Sequence, residues 1–235
     1  MQGPDHQAYD RGTTIFSPDG RLYQVEYARE AVKQGAPVVG VRGADTTVLA
    51  AQVSARSTLV ERSSVEKLFP VDGRTGIASA GHAADARQLV DLVRRRAQAE
   101  RLRFDEAATV ETLARAVADH IQEYTQAGGT RPYGTALLIG GYDEAPRLFE
   151  TDPSGATHEW RATAAGRGAR DIIPFFEERY SVGLDPDEAL ALALAGLVES
   201  DGDPDSESIR AVTIDSRGYD PVDEDRITDA LNAAS

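Results

Sequence analysis

Cysteine is absent from this 235-residue chain, which removes disulfide frameworks, thiol nucleophiles and cysteine-based zinc sites from the chemistry open to it. Lysine is nearly absent. Lys33 and Lys67 are the only two, and taking them from the 25 basic residues leaves 23 arginines. The chain also lacks any run of about 18 apolar residues that would read as a membrane span. The opening residues, Met1-Gln2-Gly3-Pro4-Asp5-His6, have neither the charged nor the apolar region of a signal peptide. A soluble, cytoplasmic protein without a membrane partner is expected. An excess of positive charge is missing too: 39 acidic residues give a formal net charge of −14, which argues against nucleic acid as a ligand.

What the sequence does contain is enough apolar matter for one sizeable core, 41% hydrophobic residues with 21 glycines. The acidic, lysine-poor surface has the pattern of salt-adapted proteins, in which salt screens carboxylate repulsion. The densest acidic run, Asp201-Gly202-Asp203-Pro204-Asp205-Ser206-Glu207, lacks the twelve-residue ligand spacing of a calcium loop and reads as a surface loop. His6, His82, His120 and His158 form no ligand-spaced pair, so neither a metal nor a cofactor is expected. Gly166-Arg167-Gly168 is incomplete as a phosphate loop and reads as a strand-to-helix turn.

Periodicity orders the chain into blocks. Ser17-Pro18-Asp19-Gly20 is a tight turn, after which Leu22, Val25, Ala28, Arg29 and Val32 fall at helical spacing and Gly35 supplies a C-cap. Two hairpins follow: Val38–Val41 with Thr46–Ala50, and Lys67–Val71 with Thr75–Ser79 across Asp72-Gly73. Leu89, Val93 and Ala97 mark one amphipathic helix, and Val110, Leu113, Val117, Ile121 and Tyr124 a second. Strands over Gly134–Gly141, Arg147–Thr151 and Thr157–Ala164 come next. Helices over Gly168–Tyr180 and Pro186–Glu199 and a strand over Ile209–Ile214 complete the set. Antiparallel strand blocks flanked by helix pairs predict an α+β fold of two stacked sheets covered on both outer faces.

The stretch Tyr9-Asp10-Arg11-Gly12-Thr13-Thr14-Ile15-Phe16-Ser17-Pro18-Asp19-Gly20-Arg21-Leu22-Tyr23-Gln24-Val25-Glu26-Tyr27-Ala28 resembles the signature of α-type subunits of the archaeal 20S proteasome. The likeness continues through Gly81–Asp91, Tyr124–Gly134 and Asp152–Gly168. It implies a four-layer αββα sandwich of the N-terminal nucleophile hydrolase type with an N-terminal extension helix. In that scheme residues 1–35 are a gate segment and ring-assembly helix, and residues 36–235 the sandwich domain with an acidic C-terminal tail.

The β-type relatives of that family are hydrolases whose nucleophile is an N-terminal threonine using its own α-amino group as base. Thr13 and Thr14 precede the turn and the first helix, so they do not occupy that place. Matching Val39-Gly40-Val41 to the first strand puts Ala36 near the nucleophile position and Gln52 where β-types carry an aspartate, while Lys67 falls near their lysine. The resemblance therefore implies no catalytic residue here.

It implies gate and docking positions instead. Tyr9, Asp10, Arg11, Pro18 and Tyr27 match the gate cluster, where phenol hydroxyls and a carboxylate can bond across adjacent subunits while Pro18 stiffens the turn. Met1–Ala8 would be a flexible plug. Lys67, with Gly35, Gly81 and Glu26, matches the pocket that takes an activator's C-terminal carboxylate, and His82 is a neighbour. Gly128 and Gly129 fall in the channel-narrowing loop, with Ala127 where many relatives have tyrosine. The implied partners are a homo- or hetero-heptameric α-ring, β-subunits, an AAA-type regulatory ATPase and unfolded proteins in transit. Two other readings remain: an autoprocessed N-terminal nucleophile amidase acting alone, and a free-standing acidic binding module.

Overall fold

The apolar stripe Val25, Ala28 and Val32 becomes the buried face of helix α1 (Tyr23–Lys33). Ahead of it, Ser17–Gly20 makes the expected turn: Gly20 N–H donates to Ser17 O at 2.8 Å and Arg21 N–H to Ser17 Oγ at 3.1 Å. The computed structural model describes residues 15–53, 57, 59–127, 130–201 and 206–234. Tyr9, Asp10 and Arg11, expected in the gate cluster, and Gly128 and Gly129, expected in the channel loop, lie outside the described residues. So do Met1–Ala8, Thr13, Thr14 and the centre of the 201–207 acidic run.

Both hairpins form. Strand β1 (Val38–Arg42) pairs with β2 (Thr47–Gln52), and β3 (Leu68–Pro70) with β4 (Thr75–Gly81), all antiparallel. The two amphipathic stripes become α2 (Ala83–Phe104) and α3 (Val110–Gln126). Asp105, in the left-handed region at φ 56°, ends α2, and the Thr109 hydroxyl accepts from Thr112 N–H to start α3. Strands β5 (Thr135–Tyr142) and β6 (Pro146–Thr151) follow as expected.

The single strand expected over Thr157–Ala164 is two. β7 (Thr157–Glu159) pairs with β6, the chain bends at Trp160 and Arg161, and β8 (Ala162–Ala165) pairs with β1 in the other sheet. Helices α4 (Ala169–Arg179) and α5 (Pro186–Asp201) lead to β9 (Ile209–Asp215). The residues read only as an acidic tail form a further strand, β10 (Gly218–Pro221), and a helix, α6 (Glu224–Ala234). That helix seats Ile227 in the core.

The strand orders are β10-β9-β2-β1-β8 and β3-β4-β5-β6-β7. Three apolar layers hold the sandwich. One lies between α4, α5 and α6 and the first sheet, one between α2 and α3 and the second, and one between the sheets around Leu49, Leu138, Leu148 and Val212. Fully burying each such side chain contributes roughly 1.5–3 kcal/mol. Within the central layer the buried Thr47 hydroxyl bonds Gly141 O at 3.0 Å in the opposite sheet, satisfying a polar group that would otherwise oppose burial. The architecture is the four-layer αββα sandwich, with α1 packed against β4 and β5.

Candidate functional site

The C-terminal end of α1 and the end of β4 meet backbone to backbone, and a pocket opens at that junction. Gly35 N–H donates to Val32 O at 2.9 Å, closing the helix, and Gly35 O accepts from Arg167 N–H at 2.8 Å. A Cβ on Gly35 would stand 2.3 Å from Gly81 N, so only glycine allows this approach. Gly81 itself sits at φ +107°, where a Cβ would meet Gly134 O at 2.3 Å.

Lys67 comes up from the start of β3. Its backbone carbonyl accepts from Ser79 N–H at 3.0 Å, and its Nζ turns back to donate to Ser79 O and Ala36 O, each at 2.9 Å. Burial, helped by the positive charge of Arg167, lowers its pKa from 10.5 to about 8. An ammonium has three N–H donors, and two are placed on carbonyls. The charge and the third donor are what this group can offer a ligand.

The pocket has a volume of 740 Å³ and is lined by Lys67, Gly35, Gly81, His82 and Arg167, with Val60 and Val65 among its apolar residues. Among the described residues lining it none is acidic, in a chain with 39 Asp and Glu. A cation-bearing pocket without carboxylates, cut into an acidic protein, can hold an anionic group with little competition from its own walls. The structure thus brings together Lys67, Gly35, Gly81 and His82. Glu26 is not among the lining residues; it sits in the first turn of α1 with both carboxylate oxygens on Arg21 at 2.6 Å. Arg167 was missed as a pocket residue, because its local sequence reads only as a turn.

Next to this pocket lies a smaller one of 300 Å³, which shares Ala31 and His82 with it and is bounded by Gln24, Tyr27, Arg131 and Gly134. Half-exposed Tyr27 therefore stands one helical turn along α1 from the Lys67 pocket, and Pro18 in the turn that precedes the helix. Asp85, buried in the first turn of α2, fixes the floor of this region by accepting from Arg131 and from Gly134 N–H at 2.8 Å. At the end of α3, Tyr124, Tyr133 and His120 cluster with ring centroids 4.8 to 5.8 Å apart, and Tyr133 hydroxyl meets His120 Nε2 at 3.1 Å. Thr130 Oγ1 bonds back to Tyr124 O at 2.9 Å.

The positions matched to the nucleophile and its aspartate carry neither a hydroxyl nor a carboxylate, while Lys67 keeps the amine. Ala36 offers a methyl group and an amide nitrogen within the chain, and it meets Lys67 through its carbonyl oxygen. Gln52 closes β2 as a buried amide. Among the described residues no group of three His, Asp or Glu side chains could hold a metal ion, and no helix is long and apolar enough to cross a membrane.

The family model described as "Proteasome subunit" matches residues 32–213, and the model for the N-terminal signature of proteasome A-type subunits matches residues 9–31. The chain is 53% identical to the proteasome alpha 2 subunit of Haloarcula marismortui over 98% of its length and 96% of the relative's. It is 53% identical to the proteasome alpha 2 subunit of Haloferax volcanii over 100% of its length and 95% of the relative's. Against the proteasome alpha 1 subunit of Haloarcula marismortui the identity is 56%, over 92% of this chain and 84% of the relative. With the αββα sandwich, the α-type N-terminal signature and these full-length haloarchaeal relatives in agreement, the chain belongs to the proteasome subunit family, in its α-type branch.

Proposed function

We propose that this chain is a non-catalytic α-ring subunit of a 20S proteasome core particle, which restricts passage of substrates into the chamber and docks a regulatory ATPase. The observation that carries the docking half is the Lys67 pocket: one ammonium held on two carbonyls, in a recess that Gly35 and Gly81 line and that no described acidic residue lines. A terminal carboxylate entering it gains a charge-assisted hydrogen bond. Residues 1–35 serve as gate segment and ring-assembly helix and residues 36–235 as the sandwich domain. Tyr9, Asp10, Arg11, Pro18 and Tyr27 form the gate cluster, Gly128 and Gly129 lie in the loop that lines the channel, and Glu26 assists from α1 through its contact with Arg21. The particle acts in the cytoplasm on unfolded proteins, with β-subunits supplying the nucleophile. Ala36 and Gln52, in place of a nucleophile and its aspartate, support that division of labour.

The test reconstitutes particles with β-type chains and titrates an activating ATPase while following cleavage of a short peptide. Wild-type chain is expected to be stimulated. Lys67→Ala is expected to assemble and keep basal cleavage but lose stimulation, since truncating one partner of a desolvated charge pair costs roughly 2–5 kcal/mol. Deleting Met1–Gly12 is expected to raise basal cleavage without an activator. Equal stimulation of Lys67→Ala and wild type would remove the docking reading. Hydrolysis by the isolated chain, lost on mutating Thr13 or Thr14, would overturn the non-catalytic one.

A further inference from the structure

Helix α1 is seated on β4 and β5 by a narrow apolar stripe, Val25, Ala28 and Val32. Apolar contacts are non-directional, so the stripe alone does not fix how far the helix is rolled about its axis. One flank is open. A pocket with a volume of 410 Å³ lies between α1, the β6–β7 turn and the start of α4, lined by Arg29, Val32, Lys33, Asp152, Ala165 and Ile173 among others. On this flank Arg29 reaches to the β6–β7 turn: its Nε donates to Asp152 Oδ2 at 2.8 Å and its Nη2 to Ser154 Oγ at 3.1 Å. The acceptor is held still. Asp152 Oδ1 accepts from Ser154 N–H at 3.0 Å and Ala156 N–H at 3.3 Å, which leaves Oδ2 to Arg29. A Cβ on Gly155, at φ +81°, would stand 2.8 Å from Ala118 O, so the turn sits directly on α3. A planar fork on a fixed acceptor is directional where the stripe is not. The consequence lies at the other end of the helix. Ala36, three residues beyond Lys33, presents the carbonyl that holds Lys67 Nζ at 2.9 Å, so a roll of α1 moves one of the two acceptors of that ammonium.

We propose that Arg29 is a positioning residue: its pair with Asp152 fixes the roll of α1 on the sandwich and so holds Ala36 O against the Lys67 ammonium. The effect on an activator rests on the docking reading above; the positioning itself does not. The side chains of Arg29 and Asp152 are 48% and 24% exposed, so the pair adds little to overall stability. What it limits is a local opening, in which α1 shifts into the open flank and Lys67 is released from Ala36 O. Two substitutions remove the pair without disturbing its surroundings. Arg29→Gln takes away the charge and the fork. Asp152→Asn keeps an oxygen for the turn and removes the charge that faces Arg29. Arg29→Lys keeps a charge but not the fork, and belongs between wild type and Arg29→Gln.

The chain has only two lysines, which makes the effect measurable residue by residue. The ring-assembled full-length chain is acetylated briefly with acetic anhydride at one pH and one KCl concentration, and mass spectrometry reads Lys67 against Lys33, whose side chain is 41% exposed and serves as internal reference. Arg29→Gln is expected to raise the Lys67-to-Lys33 ratio about two- to fivefold, the change in local opening to which an exposed pair converts. Asp152→Asn is expected to match it, the double variant to exceed neither single one, and Arg29→Lys to fall between. Melting temperatures should stay within about 3 °C of wild type. In particles with β-type chains, the activating ATPase should need a similarly higher concentration for half-maximal stimulation of Arg29→Gln. An unchanged ratio in Arg29→Gln, or single effects that multiply in the double variant, overturns the proposal. A raised ratio with a larger fall in melting temperature assigns Arg29 to general packing and overturns it as well. If the ratios respond as expected while Lys67→Ala particles are still stimulated, the docking reading fails and the positioning role stands.

Discussion

Asp85 and Arg131 form a two-pronged ion pair across 46 residues of chain, with Arg131 nitrogens 2.6 and 2.7 Å from the two carboxylate oxygens. Asp85 is buried and Arg131 mostly exposed, so the pair plugs the end of α2 rather than the core. Burial opposes the carboxylate's charge, but the Arg131 guanidinium and the Gly134 N–H outweigh it and hold Asp85 below the usual carboxylate range. A depressed folded-state pKa means stability that is fully present above the unfolded value, near 4, and is lost as pH falls through the folded one. Asp85→Asn is expected to cost about 2 kcal/mol at pH 7, the scale of hydrogen bonds to a charged group, and to cost progressively less below pH 4. Urea unfolding of both chains at pH 7 and pH 3 checks this. A gap that stays constant with pH would show that the pair's charge contributes nothing.

Lys67 gives a pH dependence of the same sense in an alkaline window, for the opposite electrostatic reason: here the folded state favours the neutral form. Its folded pKa, about 8, lies below the unfolded value of 10.5. Between these the unfolded chain holds a proton that the folded chain has released, so stability rises with pH across that window. At about 1.4 kcal/mol per pKa unit the gain is on the order of 3 kcal/mol at most. Lys67→Met should lose this rise; near neutral pH the relief of the buried charge offsets the donor lost by Ser79 O and Ala36 O, about 1–3 kcal/mol, so the two chains start close together and diverge above pH 8. Unfolding midpoints at pH 7.5, 9 and 10.5 distinguish the two chains, and parallel curves would rule the linkage out.

Where the local signal was strong the fold was legible. Leu89, Val93 and Ala97 announced α2 through spacing alone, and Asp72-Gly73 announced the β3–β4 hairpin. The split at Trp160 was not legible, because Thr157–Ala164 has no glycine or proline to mark a break; which sheet each half joins is decided by pairing to β6 and β1. The C-terminal helix could have been found. Asp223 caps it by accepting from Arg226 N–H at 2.8 Å, acids follow in the first turn, and Ile227, Ala230 and Leu231 keep helical spacing. Lys67, Gly35 and Gly81 came from family resemblance, and their convergence on one pocket is tertiary information. Arg167 carried no local signal at all, since only the fold brings the β8–α4 turn to the end of α1.

The glycine junction predicts a sharp contrast between two single-methyl additions. Gly35→Ala places a Cβ 2.3 Å from a backbone nitrogen that cannot rotate away, so α1 must shift off β4. Such overpacking costs about 1–3 kcal/mol, and the shift should also weaken docking at Lys67. Gly73→Ala, with nothing within 4 Å of its Cβ, should stay within about 0.5 kcal/mol of wild type. Thermal unfolding of both variants decides it, and equal stabilities would mean that the Gly35–Gly81 contact yields without strain.

The net charge of −14 predicts how salt acts on the whole chain. Raising KCl from 0.2 to 2 M shrinks the screening length to a few ångströms, about 3 Å at 1 M, and removes most repulsion between surface carboxylates. The same salt weakens helical pairs such as the exposed Arg115–Glu111 and the partly exposed Arg96–Glu100, which opposes the gain, but surface pairs of this spacing contribute only about 0.3–0.5 kcal/mol each. Repulsion should therefore dominate and the melting temperature should rise with KCl. Salt also strengthens burial of apolar surface, so the rise alone does not assign the cause. A fourfold variant separates the two effects: Glu106→Gln, Glu144→Gln, Glu177→Gln and Glu178→Gln neutralise exposed carboxylates while leaving the apolar core untouched. If charge repulsion is the main term, this variant melts higher than wild type at 0.2 M KCl and gains less on going to 2 M, with both chains at one protein concentration. Identical salt responses would transfer the effect to apolar burial and detach the acidic composition from stability in salt.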